Sequence, residues 1–334
     1  MNTNPMTNTI RKYGWIAVGV YAFYAAFLMI FSPETYPLMP FGIIFGSIFL
    51  LLVLYLLFLI NGEKKGKNSF GLEFFHMLKK YRFLIEQLVS RDFKAKYKRS
   101  VLGVLWSFLN PILLMIVQYV VFSTLFERAG ADSIPHYATY LLAGIILFNG
   151  FLDCAGQSMH AITGNASLIT KVYVPKYIYP VSKVFSAAIN TLLSMIPLLV
   201  VACINGVRPA LSWFLIPPAL MLVLLFTVGM GFLLSAVLVF FRDIEFLWGV
   251  FTTLWMYATP IIYSVEMLKV KPVIYRLEMF NPMYYYVTLL RTVIIDGIAP
   301  DPINVLICLG WGVVMLVFGA LVFKKTQDQF ILYL

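Results

Sequence analysis

Residues 91–111 read R-D-F-K-A-K-Y-K-R-S-V-L-G-V-L-W-S-F-L-N-P, a strongly basic segment that runs straight into an apolar one. On a helix, Lys80, Gln87, Arg91, Lys94 and Lys98 are spaced by seven, four, three and four residues and so form one polar stripe. Leu84, Ile85, Leu88, Val89 and Phe93 spread over the other side. Such a helix is expected to lie in the cytoplasmic interface, with Arg91, Lys94 and Lys98 toward anionic headgroups and its apolar side sunk into the acyl boundary. A solvated basic linker, the competing reading, lacks this sidedness. The stretch therefore describes an interface helix welded to a membrane span that begins at Val101.

The rest of the 334 residues agree with a membrane setting. With 61% of residues apolar, 16% aromatic and only 12% charged, one water-soluble core cannot hold the apolar surface. Eight runs are long enough to cross roughly 30 Å of hydrocarbon: 13–31, 38–60, 101–126, 137–160, 178–205, 213–241, 246–263 and 303–323. With both termini inside, nineteen of the 25 Lys and Arg residues fall on the cytoplasmic side, while acidic residues split evenly. That asymmetry is the one that orients membrane proteins. The net charge of +10 thus points to membrane lipids and to no nucleic-acid partner. The first apolar run is too long for a cleaved signal peptide and lacks a small-residue cleavage site. Cys154, Cys203 and Cys308 sit in spans at unrelated spacings, so neither a disulfide framework nor a metal site is expected.

Residues 61–100, the one long polar segment, divide the chain. This gives an N-terminal two-span hairpin (1–62), a cytoplasmic linker with the amphipathic interface helix (63–100) and a six-span core (101–334). The linker's N-G-E-K-K-G-K-N-S superficially resembles a phosphate-binding loop. Gly62 and Gly66 are one residue too close, however, and Asn68 stands where Ser or Thr should follow the lysine, so it is not a Walker A motif. In the core, N-A-S-L-I-T-K-V-Y-V-P-K begins at Asn165, which can cap a short helix ending before Pro175. It reads as a basic helix-to-helix turn or as a docking knuckle. After a long outside loop, N-P-M-Y-Y-Y offers Asn281 as cap and Pro282 at the first helical position, with Gly297 past the end. About fourteen residues are too few to cross, so this element dips in and returns or lies at the outer surface. Tyr284, Tyr285 and Tyr286 fit either a gate or an interfacial aromatic belt.

Candidate chemistry is sparse. His76, His136 and His160 are far apart and form no ligand pair, and neither catalytic nor cofactor-binding residues are expected. Asp153 is the one carboxylate within a span, either functional or simply paired with Gln157 or lying beside a cavity. Phe108, Met115, Tyr119, Phe122 and Phe126 line one face of the third span, and Trp248, Phe251 and Trp255 one face of the seventh. Such stripes serve ordinary packing, and they also serve sugar rings, whose CH groups stack on the π face.

Taken in order, the 91–111 run, the knuckle from Asn165, the F-F-R-D-I-E turn and the N-P-M-Y-Y-Y element resemble the ABC-2 type permeases that export lipid-linked polysaccharides such as O-antigen, capsule and wall teichoic acid. The resemblance covers about 81–334 and is most specific at Gly103, Trp106, Asn110 and Pro111. It implies an all-α polytopic fold: a six-span ABC-2 exporter core with an interface helix and outer re-entrant helices, here preceded by the extra hairpin. It also implies a homodimer working with two separate ATPase subunits that hold ATP and Mg, a lipid-linked glycan as substrate, and a place in the bacterial cytoplasmic membrane. Asn165, Leu168, Ile169, Lys171 and Pro175 would then be the coupling helix, and Arg242, Asp243 and Glu245 a second ATPase contact. Phe108, Tyr119, Phe122, Trp248, Phe251 and Trp255 would line the channel, and Asn281, Pro282 and Tyr284 to Tyr286 would form the outer gate. A small-lipid or drug exporter of the same superfamily and a membrane enzyme acting on lipid-linked sugars are the competing functions. The scarcity of paired intramembrane ionisable groups argues against the enzyme.

Overall fold

The structure, a computed structural model, describes residues 80–98, 100–126, 134–171, 174–269 and 271–333, together with Trp15, Val18 and Gly19. The N-terminal hairpin expected at 13–60 lies outside the described residues. The chain divides into two compact units, 1–84 with 299–302 and 85–298 with 303–334. Among the described residues every regular element is helical.

The interface helix is α1, Arg82–Tyr97. Leu88 is buried and Ile85, Val89 and Phe93 are half-buried, whereas Gln87, Lys94 and Lys98 are exposed, so the sidedness of the sequence is kept. The weld is not. Helix α1 ends at Tyr97, 100–102 are non-helical, Val101 stands fully exposed, and Gly103 takes a left-handed φ of 50° that opens a single 3-10 turn, Gly103–Leu105. Only then does α2, Trp106–Phe126, begin. Pro111 lies inside α2 and has no N–H for the carbonyl one turn back, Ser107 O. The Ser194 hydroxyl donates to that oxygen at 3.0 Å, which ties α2 to α5.

Helix α3, Tyr137–Met159, is the buried axis of the core, packed along α5, Ile178–Ile204, and α6, Ile216–Phe240. Leu141, Leu142, Ala143, Phe148 and Ala155 are wholly enclosed. Without a lipid-versus-water difference to drive association, such helices rely on close approach of small residues. Gly150 receives Thr191 where a Cβ would come to 2.6 Å from its hydroxyl, and Gly231 leaves room for Ser158. The short helix α4, Ala166–Ile169, joins α3 to α5 after a 3-10 turn, Thr163–Asn165.

Among the described residues five helical stretches are long and apolar enough to cross a membrane: Gly103–Phe122, Tyr137–Met159, Ile178–Ile204, Leu211–Phe240 and Pro302–Tyr333. The span expected at 246–263 is not one continuous helix. Helix α7, Ile244–Ala258, has 15 residues and so measures about 22 Å, short of roughly 30 Å of hydrocarbon. It stops because Thr259 precedes Pro260 and is driven into an extended conformation, ψ 132°. Beyond it come α8, Val265–Lys269, and α9, Pro272–Glu278, two short helices inside what the sequence presents as loop. Helix α10, Pro282–Arg291, runs into a π turn, Thr292–Asp296, that Gly297 closes with φ 69°. Its limits are those its sequence signals, and the Asn281 side chain accepts the Met283 N–H as cap. Helix α11, Pro302–Thr326, crosses α6 where Gly229 and Gly319 meet backbone to backbone; a Cβ on Gly319 would run into the Gly229 carbonyl. A 3-10 turn and α12, Phe330–Tyr333, end the described chain.

Candidate functional site

At the knuckle end of the core, polar side chains fasten α1 to three other elements. Asp92 is the centre: its Oδ2 lies 2.9 Å from Lys183 Nζ on α5, and its Oδ1 accepts from Arg91 at 3.0 Å. The Arg91 guanidinium also donates to Asn165 Oδ1 at 3.1 Å. Arg91 therefore reaches toward the knuckle, and Lys94 and Lys98 are exposed. Asn165 does not cap α4. Its Oδ1 is taken by Arg91, and its Nδ2 donates to Ala161 O at 2.8 Å, so the amide works as a strut between α3, α4 and α1. The short helix ends at Ile169, well before Pro175.

The coupling residues inferred from two distant parts of the sequence come together here. Arg242 and Glu245, at the start of α7, line one cleft of about 310 Å³ with Thr163 and Ala166 of the knuckle and His160. His160 Nε2 and Glu245 Oε1 are 3.6 Å apart across it. Asp243, Lys171 and Leu168 are exposed beside it, but Ile169 is buried at 8% exposure and belongs to the core. Leu168 is thus the apolar tip and Ile169 its anchor.

The aromatic stripe of α7 is a continuous stack. Trp248 and Phe251 lie 5.6 Å apart, Phe251 and Trp255 5.2 Å. Phe148 and Phe151 of α3 and Phe226 of α6 meet Trp255 edge-on from behind. Phe251 alone of the three is half exposed, whereas the tryptophans are largely covered. On α2, Tyr119 is exposed and its ring sits 5.9 Å from Tyr137, with Phe108 and Phe122 half-buried.

At the opposite end, Asn281 joins α7 to α10. Its Oδ1 accepts from Trp255 Nε1 at 2.8 Å, and its Nδ2 donates to Thr259 Oγ1 and Glu278 Oε1, both at 2.9 Å. Burial pushes the Glu278 carboxyl up to about 7, and the Asn281 bond opposes that rise. Tyr284 and Tyr285 form an edge-on pair at 5.0 Å. Tyr286 turns inward: it is 1% exposed, packs on Phe226 and donates to Cys308 O at 2.7 Å. It anchors α10 in the core, whereas Tyr284 and Tyr285 remain partly exposed.

Sequence reasoning passed over Arg291, Lys96, Tyr97 and the Asp92–Lys183 pair. Arg291 is buried, stacks on the Tyr140 ring at 3.3 Å and donates to the carbonyls of Tyr140, Pro260 and Ile261. The hydroxyl of Tyr137 reaches Ile262 O, and that of Tyr140 reaches Tyr263 O. An arginine two turns into a semi-apolar element was the available signal. Asp153 meets the ordinary alternative: it accepts from Gln157 at 2.8 Å and from Lys96 at 3.2 Å.

Comparison with known proteins fits this arrangement. The O-antigen export system permease protein RfbA of Myxococcus xanthus is 29% identical over 253 residues, covering 76% of this chain and 96% of its own length. A protein of the same name from Klebsiella pneumoniae is 28% identical over 249 residues, 74% of this chain and 93% of the relative. The capsule polysaccharide export inner-membrane protein CtrC of Neisseria meningitidis serogroup B is 23% identical over 221 residues, 64% of this chain and 83% of its own. Residues 84–295, from the interface helix to the π turn, match the family described as ABC-2 type transporter. With most of α1, the knuckle, α2 to α7 and α10 inside that match, the chain belongs to the ABC-2 type transporter family.

Proposed function

We propose that this chain is the transmembrane permease subunit of an ATP-driven exporter that moves a lipid-linked polysaccharide, of the O-antigen, capsule or teichoic-acid kind, across the bacterial cytoplasmic membrane. The carrying observation is the near full-length match to relatives named as O-antigen export permeases, which extends over 96% and 93% of their lengths. The chain itself catalyses no reaction in this reading. ATP and Mg are held by two copies of a separate ATPase, and two copies of the permease enclose the conduit. Both termini lie in the cytoplasm in this reading, as the distribution of Lys and Arg along the sequence supports.

The cleft between the knuckle and the start of α7 supports the coupling role, because one ATPase surface can engage both elements at once. Leu168 supplies the apolar tip such docking needs, and Arg242 and Asp243 supply a polar rim. Within the membrane the half-exposed Phe251 and Tyr119 are the rings available to successive sugars, and side by side they form an apolar constriction that gates by dewetting. Tyr284 and Tyr285 close the outer end. The N-terminal hairpin, 1–62, is an addition to the six-span core, whose fifth span is α7 with its non-helical continuation. Deleting the gene and comparing cell-surface with cytoplasmic glycan tests the proposal. Loss of surface glycan with intracellular accumulation of its lipid-linked form is expected, and an unaltered surface would refute it.

A further inference from the structure

A cavity of about 470 Å³ lies between α2, α3 and α5, within the usual size of ligand pockets. We infer that it is a binding site for an uncharged, hydroxyl-rich sugar, and so, on the glycan-export reading, a station for the polysaccharide on its way into the membrane. Three amides converge on it: Asn110 from α2, Asn149 from α3 and Asn190 from α5. Among the described residues the Asn110 and Asn149 side chains make no hydrogen bond, and Asn190 uses only its Oδ1, accepting from Tyr97 at 2.6 Å. Asn149 is ten residues from the knuckle end of α3, about 15 Å deep. Half-buried, its amide opens onto the cavity, so its donors and acceptor are available to whatever enters.

The chemistry of the wall selects the ligand. An amide presents a donor and an acceptor in one plane, which matches two neighbouring hydroxyls. Trp106, nearly half exposed, offers an indole face for the CH side of a sugar ring. The two charged side chains on the wall, Lys96 and Asp153, are paired at 3.2 Å, so the cavity is neutral overall. A phosphate or pyrophosphate finds no uncompensated cation here, and an acyl chain would leave the amides bare.

The test uses the full-length permease with its ATPase in lipid nanodiscs, and saturation-transfer NMR with maltotetraose and, separately, inorganic pyrophosphate. Maltotetraose is expected to bind in the millimolar range. Asn149→Leu and the exposed Asn110→Ser should each weaken it roughly tenfold, the worth of one lost hydrogen bond, while Trp106→Phe keeps most of the affinity. Melting temperature and retention of the ATPase identify any variant that fails to fold, and Asn110→Ser, on an open face, carries the test if Asn149→Leu does. Sugar binding unchanged in the folded variants, or pyrophosphate binding that these variants abolish, overturns the site. Either result leaves glycan export standing if gene deletion still removes surface glycan, whereas an unaltered surface removes the export reading itself.

Discussion

Asp92 and Lys183 show how single residues hold the interface helix. Their side chains are 11% and 22% exposed, so a partner left alone keeps a largely desolvated charge. Lys183→Met should lower unfolding stability by about 1–3 kcal/mol, and the double change with Asp92→Asn should cost less than the two single ones summed. Thermal melts of the four proteins in one detergent give the coupling. Leu168 and Ile169 are adjacent yet opposite in effect. Leu168→Asp should reduce co-purification of the ATPase with the melting temperature unchanged, whereas Ile169→Asp should lower the melting temperature itself. Equal loss of stability in both would remove Leu168 from the docking surface. Glu278 makes stability depend on pH. Its carboxyl in the folded protein titrates near 7, above the unfolded value of 4.5, so the fold holds the proton more tightly. Its contribution is intact below about 4.5 and declines as pH rises to 7 and beyond. Glu278→Gln keeps an acceptor for Asn281 and should flatten the decline in melts run from pH 5 to 8.

Between elements, the crossing of α6 and α11 rests on Gly229 and Gly319. Gly319→Ala places a methyl against the Gly229 carbonyl, an obstacle made of backbone that cannot turn aside. It should cost at least the 1–3 kcal/mol usual for overpacking, read as a lower melting temperature, while Gly310→Ala, with open space around it, should be neutral. Nothing in the sequence marks Gly319 as closer-packed than Gly310, because both lie in the same apolar run. What was legible were features whose signal is local: the apolar lengths, the one-sided α1, and α10 with Asn281, Pro282 and Gly297 at its limits. The continuous span at 246–263 was misread because composition measures apolarity and not helix. Only the single Thr259–Pro260 step gave the break away. Asn165 was misread for a related reason: its cap position is correct, but a partner 74 residues distant takes its side chain.

For the whole molecule, the aromatic stack along α7 has a covered side and an open one, and the proposed conduit uses the open one. Phe251→Ala removes a half-exposed ring and should slow glycan export or raise resting ion leak in proteoliposomes with little loss of stability. Trp255→Ala also strips Asn281 of a donor and opens a hole against Phe148 and Phe151, and should destabilise by about 3–5 kcal/mol. If Phe251→Ala exports normally and merely melts earlier, its ring is packing and the path of the glycan lies elsewhere.

The non-helical stretch 259–263 also bears on how the protein is made. Carbonyls exposed to lipid must be paired, and those of Pro260, Ile261, Ile262 and Tyr263 are paired by Tyr137, Tyr140 and Arg291. Two of these donors are synthesised more than a hundred residues earlier and the third about thirty residues later. During translation, therefore, α7 emerges before Arg291 exists: Tyr137 and Tyr140 can already pair the Pro260, Ile262 and Tyr263 carbonyls, while the Ile261 carbonyl waits for α10 to bring its donor.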